Sequence, residues 1–559
     1  MTTTTDSTPA VLSALDNLET TYDVIVIGSG AAGLTAAVRA AEAGARVLVL
    51  EKASKLGGTS AAGGGVIWAP NNHLARQAGF EDSARAATKY LQAAAGQAMS
   101  AQDIDWFVRT SGQAVRFLDE KTQVKLVPLG RPDYHMEWDG AAPGGRSLDN
   151  LPFASTDYPG LAQALRPPTY FPLLSMSERD ELNGRTPEPA LLEQRAQSGV
   201  RTMGGALVGS LAASALDRGV HLAADAEVSD LSQTDQGWRI EVAGKNQLSA
   251  RSVVIASGGF EWNPRLRQAY LSFEVTPIGA PSNEGDGLEL ALAVGATVND
   301  MTAIWGVPVI SVPSISYDGK PTGRMANVEM TLPGSITVNS SGARFVNEAL
   351  NYHDVCRVFG NTDPLSSTLQ NSPAWLVFDS EYFRKYPVAG STPGVKPQWM
   401  SSAPTLPDLA RNLGIDAQGL QRSVERFNVD ARAGVDTEFG RGASEQDRHL
   451  GDALNQPNPC LAPLEHGPYY AVPIHAGVLG TSGGLATTEH AQVLDRHGHP
   501  ITGLYAAGNV SAGVFRNNYP GGGATLGSAV TRGYAAGSHL AEVFLATQAT
   551  ADAALEASK

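Results

Sequence analysis

From Tyr22 to Lys52 the chain reads YDVIVIGSGAAGLTAAVRAAEAGARVLVLEK. The run Val24 to Ile27 is apolar and β-branched, the pattern of a parallel strand buried on both faces, and it stops at Gly28. Gly28, Gly30 and Gly33 then set G-x-G-x-x-G, and Ala36, Ala37, Ala40 and Ala41 continue at helical spacing up to Gly44. A second buried strand, Arg46 to Leu50, ends in Glu51, eighteen residues beyond Gly33. The spacing predicts a complete βαβ unit for a dinucleotide. Gly28 permits the tight turn, Gly30 lets the backbone approach a diphosphate, and Gly33 lets helix and strand pack closely. Ala31 and Ala32 open the helix whose positive end receives that diphosphate. The Glu51 carboxylate, with Lys52 beside it, is placed to accept the hydroxyls of an adenosine ribose.

Composition limits what the rest of the chain can do. Its 559 residues are too many for one ordinary core. Hydrophobic residues make up 42% and charged residues 17%, a globular balance. Sixty glycines exceed the usual ~7% and follow no collagen-like period, so they mark close approaches of backbone to ligand. A net charge of −15 opposes nucleic acid and anionic lipid as partners. An apolar run long enough to span a bilayer is missing, so an integral membrane protein is not expected. Met1 to Thr20 lacks the pattern of a signal peptide and reads as a flexible tail. Cys356 and Cys460 cannot build a disulfide framework or a zinc or iron–sulfur site, and free thiols fit a cytoplasmic address with no metal.

The choice between NAD and FAD rests on the segments beyond the first unit. Lys52 to Trp68 reads KASKLGGTSAAGGGVIW, with Gly58, Thr59, Ser60, Gly64 and Gly65 as contacts. It resembles the segment that runs along the FAD pyrophosphate to the flavin in two-dinucleotide-binding flavoproteins. Ser252 to Phe260, SVVIASGGF, is a strand ending at the paired Gly258 and Gly259. Gly503 to Asn509, GLYAAGN, resembles the late strand that closes over the flavin, and places Gly508 and Asn509 there. No histidine stands between Gly57 and Gly65. Flavoproteins of the succinate dehydrogenase type carry their covalent histidine in that segment, so the resemblance implies non-covalent FAD.

The expected fold is α/β: a discontinuous, Rossmann-like, two-dinucleotide-binding FAD domain over 21–305 and 470–546, with an inserted catalytic capping domain of α+β character over 306–469. Residues 1–20 and 547–559 are expected as tails. A helical excursion is expected from Asp82 to Leu118, loop over Asp133 to Pro189, and an amphipathic helix within Arg201 to Val220. In the insert, strands are expected near Ser335 to Asn339 and Ala374 to Phe378, with helices at LPDLARNLGI and LQRSVERFNVDARAG.

Flavin exchanges hydride with a carbon at its N5, so the protein must supply a proton handler and a polarising group. Three segments carry candidates: LNYHD at Leu350 to Asp354, NNYPGGG at Asn517 to Gly523, and DYHMEW at Asp133 to Trp138. Together with GSGAAG, GGTSAAGGGVIW, LPGSITVNSSGARFVNEALNY, LGTSGG, GLYAAGNVS and YPGGGATLG, they make the chain from about Tyr22 to Ala546 resemble the fumarate reductase and ketosteroid dehydrogenase superfamily. Within it the chain is most similar to 3-ketosteroid Δ1-dehydrogenases. Fumarate reductases need arginines and a histidine for their dicarboxylate. Here the matching positions hold Tyr519, Tyr352, and Gly480 or Thr481, so that substrate class is opposed.

The resemblance implies an α,β-dehydrogenation of a ring ketone. Tyr519 hydroxyl and Gly523 N–H would hold the ketone oxygen, Tyr352 would remove the α-proton, and Tyr134 would support Tyr352 and lower the cost of its phenolate. Thr525 and Leu526, at the start of the last helix, would contact the cofactor. His135 and His353 are expected in surface or supporting roles. The substrate implied first is a 3-ketosteroid of steroid catabolism. A smaller cyclic ketone, cyclohexanone or 4-oxocyclohexanecarboxylate, is the alternative, because Ser147 to Gly199 departs from the steroid pattern and its RPPTYFPLL brings bulky Tyr170 and Phe171. The family's Tyr-Pro-Gly-Pro-Gly reads YPGGG here, with tyrosine and final glycine still correctly spaced. A second complete dinucleotide motif is missing, so the electron acceptor is a quinone, an electron-transfer protein or oxygen and not a pyridine nucleotide.

Overall fold

The buried run after Thr21 forms the centre of a parallel sheet. A computed structural model describes residues 11–95, 98–182, 185–244 and 246–557. In it Thr21–Ile27 pairs in parallel with Val47–Leu50 on one side and Asn246–Ile255 on the other, Ile25 lying opposite Leu48 and Val253. His221–Ala223 and Pro500–Ala506 extend the sheet at its two sides, again in parallel. A strand from residue 21 and one from residue 506 thus share one sheet, which makes the FAD domain discontinuous. Val24 to Ile27 and Val47 to Leu50 are all buried, as strands covered on both faces require.

The helix Ala31–Ala41 covers one face and is packed on by the last helix, Ala524–Ala557. A Cβ at Gly533 would stand 2.4 Å from Ala32 carbonyl oxygen, so the two backbones meet with no room for a side chain. The last helix runs on past Thr547, which corrects the expected tail over 547–557. Its alanine-rich sequence is a strong helix former; residues 558 and 559 lie outside the described residues. The N-terminal tail is corrected as well. Residues 1–10 lie outside the described residues, but Ser13 N–H donates to Leu222 carbonyl oxygen at 2.8 Å. Leu12 packs on one side of the sheet and Leu15 and Leu18 on the other.

A second sheet carries the insert. Its antiparallel order is Lys320–Met325, Ile304–Tyr317, Tyr469–Thr481, Ala374–Phe378 and Ser335–Asn339. Helices Leu406–Leu413 and Ala417–Ala433 cover it. The strand Tyr469–Thr481 is hydrogen-bonded inside this sheet and delivers Thr481 to the FAD lobe. The cover segment is less irregular than expected: Ser147–Asn150 is a strand and Met176–Leu182 a helix, and a further helix, Pro189–Gln197, begins where the expected loop ends. The helix Met203–Leu216 is buried from Met203 through Ala215 and so is not amphipathic; helix Ala31–Ala41 and the glycine segment at 58–62 pack against it.

Candidate active site

The glycine segments meet at the carboxyl ends of the parallel strands, where open α/β sheets bind ligands. Helix Ala31–Ala41 begins with Gly30 as its N-cap and no side-chain cap, which leaves an anion-binding end. Ser60 Oγ accepts the Ala31 N–H at 3.1 Å. Ser29 ties the unit together, donating its N–H and Oγ–H to Glu51 Oε2 at 3.1 and 2.5 Å and accepting from Gly57 N–H at 2.7 Å. Ala53 N–H takes Glu51 Oε1 at 2.9 Å. A carboxylate offers about four acceptor positions, so Glu51 retains room for a ribose hydroxyl.

Close approach governs the remaining glycines. A Cβ on Gly28 would stand 2.3 Å from Ala256 carbonyl oxygen, one on Gly65 2.3 Å from Gly204 N, and one on Gly508 3.1 Å from Ala32 Cβ. Gly58 has no heavy atom within 4 Å of the position its Cβ would take. The tight glycine packing, the open turn at Gly58 and the helix end without a capping residue of its own fit a dinucleotide such as FAD. Thr59 Oγ1 accepts from Ala280 N–H at 2.8 Å and Asn283 Nδ2 at 3.0 Å, and Gly64 backs onto Met176. Asn509 Oδ1 accepts from Trp305 Nε1 at 3.0 Å, and Leu526 packs on the core around helix Ala31–Ala41. Gly258 and Gly259 stand against Asn283 and Thr481.

Lys52 stands apart from this set. Its ammonium pairs with Glu284 at 2.8 Å and Asp286 at 3.0 Å. Burial alone would lower its pKa, but these carboxylates raise it, so its charge is engaged by acids of the 284–286 turn. Sequence reasoning missed Glu261. This carboxyl is fully buried, accepts from Asn283 Nδ2 at 2.7 Å, and lies beside Gly259, Gly279 and Thr481. Burial pushes it up to about 7. The paired glycines two residues before it were the available signal.

The three expected tyrosines converge from three parts of the chain. Tyr134 comes from the cover segment, Tyr352 opens the insert helix Tyr352–Arg357, and Tyr519 precedes the last helix. Ring centroids lie 5.5 Å apart for Tyr134 and Tyr352, 5.2 Å for Tyr352 and Tyr519, and 5.6 Å for Tyr134 and Tyr519. Thr525 Oγ1 donates to the Tyr519 hydroxyl at 3.1 Å, which leaves Tyr519's own proton to donate elsewhere. Gly523, at φ +99°, admits no side chain, since a Cβ would meet Val66 carbonyl oxygen at 2.6 Å. Among the described residues its N–H has no acceptor. The Pro520 carbonyl fixes this turn by accepting from Tyr134 N–H at 3.1 Å and Tyr90 hydroxyl at 2.5 Å. Burial first, and then the phenols Tyr134 and Tyr519, push Tyr352 well above the usual phenol range. In this resting arrangement Tyr134 raises Tyr352, opposite to the expected help, because a charge on one buried phenol disfavours a charge on the other and the contact between them favours the protonated Tyr352.

His353 is a brace. Its Nδ1 accepts Gly306 N–H at 3.3 Å and its Nε2 lies 3.2 Å from Asn517 carbonyl oxygen, which fixes the neutral ring between insert and last turn. His135 bridges Glu137 and Asp354, each at 2.9 Å, and stacks on Trp138 at 3.7 Å between ring centroids. It therefore clamps the segment bearing Tyr134 to the helix bearing Tyr352. Burial would lower the His135 pKa, but hydrogen bonds to Asp354 and Glu137 raise it above 6.5. Asp354 is opposed by burial yet held down to about 2, first by the His135 hydrogen bond. The clamp's contribution is therefore full between the ordinary carboxyl and imidazole values. It is lost as pH rises through the raised His135 pKa, and at acid pH as Asp354 protonates. Asp354→Asn should bring the His135 midpoint down; a pH titration of Trp138 fluorescence, quenched by the stacked imidazolium, reads the shift. An unchanged midpoint would contradict the pairing.

The chain matches the model of the FAD binding domain family over residues 23–526 and belongs to that family. It is 41% identical to 4-oxocyclohexanecarboxylate 2-dehydrogenase of Sinomonas cyclohexanicum, covering 93% of both chains. It is 36% identical to 3-oxosteroid 1-dehydrogenase of Mycobacterium tuberculosis, covering 93% of this chain and 98% of the relative. The crystal structure of 3-ketosteroid Δ1-dehydrogenase from Sterolibacterium denitrificans, in complex with 1,4-androstadiene-3,17-dione, superposes with a TM-score of 0.87 at 34% identity, covering 94% of this chain and all of the other. The protein is an FAD-dependent oxidoreductase of the ketosteroid and cyclic-ketone dehydrogenase type. Among the described residues no helix is long and apolar enough to cross a membrane, and no group of three or more His, Cys, Asp or Glu residues could hold a metal ion.

Proposed function

We propose that the protein desaturates a ring ketone next to its carbonyl, forming an α,β-double bond. FAD, when bound, would supply the acceptor for the β-hydrogen, which leaves as hydride. The chain supplies the rest. The Tyr519 hydroxyl and the Gly523 N–H donate to the ketone oxygen, where charge builds as the enolate forms; one such donor is typically worth about 3 kcal/mol of barrier. Tyr352 oxygen takes the α-proton, and Tyr134 holds Tyr352 in place. The observation that carries this reading is the pair of free donors: Tyr519, turned by Thr525 to give its proton away, and Gly523, whose N–H has no acceptor among the described residues.

A phenol raised by burial leaves little phenolate at neutral pH. Since the base must be deprotonated, kcat/KM should climb about tenfold per pH unit and still be rising near pH ~10. A plateau below neutral pH would assign the base to another group.

The ring favoured is a single six-membered one. Phe171 occupies the wall behind Gly523 through its packing with Val66 and Met176, and the relative at 41% identity is named for a cyclohexane substrate. A steroid is the second reading, favoured by the likeness to the steroid-bound structure at a TM-score of 0.87. Initial rates with cyclohexanone and with androstenedione, using an artificial acceptor dye, separate the two. Turnover of androstenedione alone would overturn the small ring, and turnover of neither would overturn the desaturase.

A further inference from the structure

Behind Gly523 the wall is first apolar and then cationic. A Cβ on Gly523 would touch Val66, which packs with Leu129, Met176, Met203 and Phe171. The Phe171 ring lies 4.7 Å from that of Tyr170. Guanidinium groups close round this aromatic pair: Arg324 sits 4.3 Å over Tyr170, Arg179 5.6 Å over Phe171, and Arg131 Nη2 3.7 Å from Met176 Sδ. Arg131 is answered by Asp180 at 2.6 Å. Arg324 and Arg179 are not answered. Among the described residues Arg324 hydrogen-bonds only Ala389 carbonyl oxygen, at 3.3 Å, and Arg179 only Met176 Sδ, at 3.8 Å. Burial and then Arg131 disfavour the charge on Arg179.

Acids outnumber cations in this chain by 56 to 41, so two neighbouring arginines with no ion pair among the described residues are conspicuous. The carboxyl that feels Arg324 is Glu329, whose Oε1 is occupied by Ala389 N–H at 3.0 Å; burial pushes it up toward its neutral form. An anion from outside would complete the cluster, and a guanidinium fork suits a carboxylate best. The placement is right for a substrate group. Arg324 pairs with Ile310, four residues along the strand from Gly306, whose N–H donates to His353 beside Tyr352. At ~3.3 Å per residue that sets the two strand positions ~13 Å apart, about the length of one ring and an arginine side chain.

We infer that Arg324, assisted by Arg179, forms an anion subsite that holds a carboxylate borne by the ring of the ketone substrate, away from the carbonyl end. The inference rests on the small-ring desaturase reading above. The holoenzyme and Arg324→Gln would be compared, after flavin content and melting temperature show both folded, on 4-oxocyclohexanecarboxylate and on cyclohexanone. The expected result is that the preference of kcat/KM for the carboxylate falls roughly 10- to 100-fold, mainly in KM, with partial rescue in Arg324→Lys. Cyclohexanecarboxylate has no ketone and cannot be turned over, so its binding, read as a shift of the flavin spectrum, tests the subsite separately. It should bind the unaltered enzyme and bind Arg324→Gln roughly 10- to 100-fold more weakly, while acetate should not compete at equal concentration. The same substrate preference in both proteins, or equal competition by acetate, would overturn the subsite and leave the desaturase standing. Turnover of neither ketone would overturn the small-ring reading on which the subsite rests.

Discussion

Tyr352→Phe should lower kcat roughly 10²- to 10⁴-fold, the usual worth of a positioned general base, with flavin content unchanged. The change removes one oxygen and leaves the ring that fills the space between Tyr134 and Tyr519 at 5.5 and 5.2 Å. Tyr519 is engaged by Thr525, and His353 is engaged by Gly306 and Asn517. Since ketone binding rests on Tyr519 and Gly523, KM should move little. Stopped-flow reduction of the flavin by the ketone measures the step directly, and a variant that reduced at the native rate would remove Tyr352 from the chemistry.

Gly33→Val should abolish FAD binding. A Cβ at Gly33 would stand 2.1 Å from Gly28 carbonyl oxygen and 3.1 Å from both Val26 Cγ1 and Ala256 Cβ. The first contact is with backbone, which cannot swing away, so the helix must lift off the strand and carry its anion-binding end with it. The absorbance ratio of flavin to protein in the purified variant reads the outcome. A fully yellow, folded Gly33→Val protein would mean that the helix end does not set the cofactor's position.

These two positions also mark what the sequence made legible. Gly33 was readable because a local rule, strand to turn to helix in close contact, dictates one residue type at one spacing. The tyrosines were legible through resemblance to the ketosteroid dehydrogenases; nothing in the spacing of Tyr134, Tyr352 and Tyr519 says that their rings meet. Features set by tertiary packing were not legible. The Met203–Leu216 helix carries the same small apolar residues on every side because it is enclosed. Lys52 follows the ribose-binding acid in sequence, yet its partners lie 232 and 234 residues further on. Glu261 acquires its raised pKa from burial in the closed fold, which outweighs the hydrogen bonds from Asn283 and Thr481, and Arg324 acquires its meaning from the aromatic pair it covers. Alanine-rich residues beyond Thr547 have a helix propensity that the expectation of a tail passed over.

The most direct measurement of the central claim is an anaerobic single turnover of the FAD-loaded enzyme with 4-oxocyclohexanecarboxylate or cyclohexanone, monitoring flavin absorbance and quantifying the ring product by mass. The account predicts one flavin bleached for each ketone that becomes two hydrogens lighter. Ketone unchanged and flavin still oxidised for both rings, or an enone formed without bleaching, would contradict it.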